Sequence, residues 1–73
     1  MSTFQKHRQI LGENIRAGRK RAKMSQEKLA EKADLNPTYV SDVERGTENI
    51  SIDAVMRIAS ALKMPLSDLT RGM

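Results

Sequence analysis

The chain has 73 residues, 38% of them apolar and 30% charged, with 13 Lys+Arg against 9 Asp+Glu and no cysteine. A chain this short holds one domain with one small core, near the size at which a fold needs extra support. Without cysteine, disulfides and thiolate metal sites are excluded, so well-capped helices or self-association must supply that support. No apolar run approaches the roughly 20 residues of a membrane span. The N-terminal stretch carries no secretory-type hydrophobic segment either, so a soluble, cytoplasmic protein with no membrane partner is expected.

Charge is unevenly spread. Residues 1–24 hold Lys6, Arg8, Arg16, Arg19, Lys20, Arg21 and Lys23 against Glu13 alone, a balance of +6, whereas residues 25–73 balance to −2. Such asymmetry suits an element facing a polyanion, but equally a membrane surface or a solvated helix face.

Five helices are expected, at about 4–23, 26–33, 37–45, 52–62 and 65–71. In the first, Leu11, Ile15 and Ala22 recur at helical spacing, and Gly18 marks a place of close packing. The next three starts share one local grammar. Ser25, Asn36 and Ser51 are N-caps, and Pro37 stands at the first position of the third helix. The flanking pairs Met24 and Leu29, Leu35 and Val40, and Ile50 and Val55 can clasp each turn as hydrophobic staples. Each cap contributes about 1 kcal/mol. Gly46 suits a left-handed helix end, and Pro65 both ends the fourth helix and opens the fifth. Nothing alternates with period two over a strand's length, and no hairpin dipeptide occurs. The expected architecture is all-α, a compact five-helix domain spanning 1–73 with its core at about 11–69.

The functional signal lies in the second and third helices, which only Asp34, Leu35 and Asn36 separate. So short a connection forbids full antiparallel contact and makes the helices cross steeply, as in the helix-turn-helix arrangement that sends its second helix into the DNA major groove. Leu29 and Ala30 would face inward from one helix, Val40 and Val43 from the other, with Leu35 plugging the turn. Asp34 stands where glycine is usual, and aspartate tolerates the left-handed conformation such a turn asks for.

The run Ser25-Gln26-Glu27-Lys28-Leu29-Ala30, then Leu35, then Tyr39-Val40-Ser41-Asp42-Val43-Glu44-Arg45-Gly46 resembles the phage repressor and Cro-like (Xre-type) helix-turn-helix family. Asn49-Ile50-Ser51-Ile52 and Ile58-Ala59-Ser60-Ala61-Leu62 continue the resemblance, which covers about Leu11 to Leu69. Within the family, Thr38-Tyr39-Val40-Ser41 and Glu44-Arg45-Gly46 with Asn49-Ile50-Ser51 are similar to controller proteins of restriction–modification systems. The resemblance implies a lambda-repressor-like fold, a bacterial or phage-encoded, nucleoid-associated regulator, and double-stranded DNA as partner.

It also implies site roles. Gln26 would grip a phosphate at the start of the second helix, unless it is an ordinary exposed first-turn residue. Asn36, Pro37, Thr38, Tyr39, Ser41 and Asp42 lie where family members meet base edges and backbone. Asn36 is also a cap. Ser41 can serve a base, a phosphate or water, and Tyr39 can reach a phosphate or pack against the loop. Pro37 replaces the basic, guanine-reading side chain of related controllers, so readout there is apolar, indirect or absent. Asp42 either accepts from a cytosine amino group or orients a basic neighbour. Arg45, Thr47 and Asn49 would clamp phosphates beyond the recognition helix, while Lys20 and Lys23 either flank the backbone or remain solvated. Arg19 and Glu44 match a structural ion pair of the family.

One recognition helix makes too few contacts for tight binding, so a homodimer on two half-sites is expected. Ile52, Met56, Leu66 and Leu69 would form its interface. An antitoxin-type regulator that also binds a toxin protein, and a pure protein-interaction module, are the rival readings. Catalysis lacks its parts: His7 is the one histidine, and no carboxylate pair stands at metal-ligand spacing. Neither cofactor, metal nor small-molecule ligand is expected.

Overall fold

The computed structural model describes residues 3–73. Its elements are α1 (Thr3–Arg21), α2 (Gln26–Ala33), α3 (Pro37–Glu44), α4 (Ile52–Leu62) and α5 (Leu66–Leu69), with no strand among the described residues. Met1 and Ser2, part of the expected domain span, lie outside the described residues.

The helix starts form where side-chain oxygens replace missing backbone partners. Ser25 Oγ accepts from the Lys28 N–H at 3.0 Å, Asn36 Oδ1 from Thr38 at 2.8 Å, and Ser51 Oγ from Ala54 at 3.1 Å. The stops are less orthodox. Lys23, Asp34 and Lys63 adopt left-handed backbone conformations with φ of 59°, 56° and 56°. At each, the following N–H reaches back into the last turn, Met24 to Arg19, Leu35 to Ala30 and Met64 to Ala59. Gly46, with φ of 77°, closes α3 in the same hand.

Three expectations change here. Lys63, not Pro65, ends α4, and Pro65 serves as the cap residue before α5, which is a single turn. Ala22 falls beyond α1 and is exposed, so the buried side of α1 is Leu11, Gly12, Ile15 and Gly18. Leu69, expected on the dimer surface, is 0% exposed inside the protomer's own core.

α1 lies across α3 and touches α4 and α5; α2 packs on α3 and α4; α5 closes the remaining side against α1 and α4. Leu11, Ile15, Leu29, Ala30, Val40, Val43, Val55, Ile58, Leu62 and Leu69 meet in one cluster. Met24, Leu35 and Tyr39 seal its edge. The assembly measures 31 × 23 × 20 Å, so elements at opposite edges lie within a few helix diameters.

Candidate nucleic-acid interface

Because Leu29, Ala30, Val40 and Val43 are buried, α2 and α3 turn their opposite sides outward. There the N-terminal turn of α2 meets the outer face of α3. A shallow depression of about 320 Å³ opens between them, lined by Gln26, Glu27, Pro37, Thr38 and Ser41. Four of the residues singled out from sequence, Gln26, Pro37, Thr38 and Ser41, therefore share one surface.

The depression presents hydrogen-bonding groups of both kinds. The Lys28 N–H is taken by Ser25 Oγ, while the N–H groups of Gln26 and Glu27 have no intrahelical acceptor, and the positive end of the helix dipole lies at this turn. Thr38 and Ser41 add hydroxyls, and Pro37 adds an apolar ring without a donor. Glu27 adds a carboxylate that the sequence reading did not weigh. Its signal was available, since the second position of a capped helix must border whatever that helix start faces. Farther along α2, the hydrogen bond and charge of Lys28 hold the Glu31 carboxyl below its ordinary range.

A second group forms where α3 ends. Asp42 pairs with the Arg45 guanidinium, and its backbone carbonyl accepts from the Thr47 hydroxyl at 3.1 Å. Tyr39 is half-buried against the core, and its hydroxyl accepts from the Ser51 N–H at 3.3 Å. Asn49 stands apart, in a groove with Phe4, His7, Arg8 and Ile50. Lys20, in the last turn of α1, and Lys23, in the link to α2, are exposed.

Beneath the surface runs a buried polar connection. Arg19 of α1 grips Glu44 of α3 with two bonds, Nε to Oε2 at 2.6 Å and Nη2 to Oε1 at 3.0 Å. Their side chains are 11% and 2% exposed. Arg19 Nη1 also donates to the Met24 carbonyl at 2.8 Å. The same Oε1 of Glu44 accepts from Gln26 Nε2 at 3.1 Å, a contact that nothing in the spacing of residues 26 and 44 announces.

A protein-family model described as helix-turn-helix matches residues 15–69. The chain belongs to the helix-turn-helix family. Control protein C.BamHI of Bacillus amyloliquefaciens is 46% identical to it over 63 residues, which cover 85% of this chain and 78% of that protein. Control protein C.SmaI of Serratia marcescens is 36% identical over 66 residues, 90% of this chain and 79% of the relative. Among solved structures, the restriction-modification controller protein C.AhdI from Aeromonas hydrophila superimposes with a TM-score of 0.83 at 34% identity, covering 85% of this chain and 94% of that one. In this helix-turn-helix protein, α2 and α3 are the paired helices and Asp34 is their left-handed hinge residue. No helix among the described residues is long and apolar enough to cross a membrane.

Proposed function

We propose that this helix-turn-helix protein is a sequence-specific, DNA-binding transcription regulator that acts as a homodimer and controls a restriction–modification system. One observation carries the reading: the start of α2 and the outer face of α3 converge in one depression, Gln26 on one wall and Thr38 and Ser41 on the other. That arrangement lets α3 enter a major groove while α2 abuts the neighbouring phosphate. Similarity to two control proteins and to a restriction-modification controller protein of solved structure supports the regulatory setting.

In this reading Thr38 and Ser41 meet base edges, Pro37 contributes shape and apolar contact, and Gln26 holds a phosphate. Arg45, ordered by Asp42, and Thr47 clamp the backbone past α3. Asn36 and Tyr39 chiefly set the helix start and the following loop, and they touch DNA from there. Lys20 and Lys23 contribute charge near the backbone, as does Asn49 a polar contact at the loop. The family role is binding rather than catalysis, in the cytoplasm, with residues 1–73 working as one domain.

Dimerisation uses the exposed apolar side chains Ile52 (64% exposed), Met56 (57%) and Leu66 (39%). A protomer with a longest dimension of 31 Å can, in a side-by-side pair, place two recognition helices about 34 Å apart, one turn of DNA.

Selection of bound sequences from a random double-stranded DNA pool tests the reading. Two related half-sites about one helical turn apart are expected. In the same format, Thr38→Ala relaxes preference at one position in each half-site, whereas Gln26→Ala weakens all sequences about equally. Recovery of no shared sequence would overturn the proposal.

A further inference from the structure

We infer that Glu44 is a positioning residue for DNA binding, fixing the Gln26 amide that meets the phosphate; the inference rests on the phosphate role of Gln26 proposed above. A carboxylate can only accept hydrogen bonds, so its contact with Gln26 dictates which end of the amide turns inward. Nε2 faces Glu44 Oε1 at 3.1 Å; one of its two N–H groups is used there, which leaves the other to donate to a phosphate. The side chain of an unrestrained glutamine would sample several rotamers, and ordering it on DNA would cost binding energy. Here that ordering is built into the free protein.

What makes Glu44 suited to this is its own rigidity. Both its oxygens are held by the Arg19 guanidinium, at 2.6 and 3.0 Å, and its side chain is 2% exposed. Arg19 is in turn tied to the Met24 carbonyl at 2.8 Å, next to the Ser25 cap of α2. The guanidinium therefore registers the start of α2, the end of α3 and the amide between them from one point on α1. A purely structural ion pair would explain the contacts of Arg19 with Glu44 but not why the amide lining the DNA-facing depression is joined to them.

The test is a double-mutant cycle on DNA affinity with Glu44→Gln and Gln26→Ala, using the duplex selected by the unaltered protein and only variants shown to be folded. Gln26→Ala is expected to weaken binding roughly tenfold. Glu44→Gln is expected to weaken it several-fold in the unaltered background but less than about twofold when Gln26 is already alanine. With Thr38→Ala in place of Gln26→Ala, the loss from Glu44→Gln should persist in full. Equal losses from Glu44→Gln in all backgrounds would overturn the inference while leaving DNA binding itself standing. Absence of DNA binding by the unaltered protein would instead remove the reading on which it rests.

A measurement on the unaltered chain decides the matter if Glu44→Gln does not fold. Nuclear spin relaxation of the Gln26 side-chain amide in free protein should give an order parameter near the rigid-backbone value of about 0.85. A value below about 0.6, that of a flexible group, would overturn the positioning role.

Discussion

Gly12 of α1 lies directly beneath the backbone of Val43 in α3, so close that a Cβ at residue 12 would sit 2.4 Å from the Val43 carbonyl oxygen. The Glu44 carbonyl oxygen would be 2.7 Å away. Backbone cannot swing aside as a flexible side chain can, so α1 and α3 must separate to admit even one methyl group. Gly12→Ala is therefore expected to destabilise the fold by about 1–3 kcal/mol. It should also weaken DNA binding, because α3 is the element displaced. Urea denaturation and DNA titration of the same variant check both effects.

The Arg19–Glu44 pair gives a second prediction. Taking one partner from a buried ion pair leaves the other charged and unmatched, at a cost of about 3–5 kcal/mol. Arg19→Met should fall in that range by chemical denaturation. The combined change Arg19→Met with Glu44→Leu should cost less than Arg19→Met alone, since no charge is then stranded, although Gln26 and Met24 each lose a partner.

Helix ends offer a stabilising change. Lys63 closes α4 with a φ of 56°, a conformation that glycine adopts without steric penalty. Its side chain is exposed. Lys63→Gly is expected to add about 0.5–1 kcal/mol of stability, the cost of left-handed backbone for a residue with a Cβ offset by the greater freedom of glycine in the unfolded chain. Thermal unfolding at fixed protein concentration checks it.

Leu66 and Leu69 should part company under substitution. Leu69 is wholly inside the core, and Leu69→Ala should cost about 2–5 kcal/mol. Leu66 is 39% exposed, so Leu66→Ala should barely disturb the protomer while weakening self-association. Met56→Glu, placing charge amid the exposed apolar face, should yield a monomer by sedimentation at tens of micromolar, where the unaltered chain should be a dimer.

These cases also show what a reader of the sequence could and could not see. The N-caps at Ser25, Asn36 and Ser51 were legible because each depends on one side chain and its next three residues. The α2–α3 crossing followed from a three-residue connection and inward-facing Leu29, Ala30, Val40 and Val43. Leu69 was misplaced because periodicity within one helical turn cannot say which of two leucines meets α1 and α4. Ala22 was misplaced because Lys23 adopts a left-handed conformation that no local pattern demands. In the candidate site, the resemblance pointed to Gln26, Pro37, Thr38 and Ser41, and the structure brings these four onto one face. The bond from Gln26 to Glu44 was not, because it spans two helices and depends on a side-chain position that only tertiary packing sets.

The most direct measurement of the central claim is affinity for the selected duplex as a function of salt. In the proposed complex, Lys20, Lys23 and Arg45 of two protomers would neutralise phosphates and release bound counterions, so the logarithm of affinity should fall steeply with the logarithm of salt concentration. A slope reflecting roughly 6–10 phosphates per dimer is predicted. An affinity that does not change with salt would contradict DNA binding by this surface.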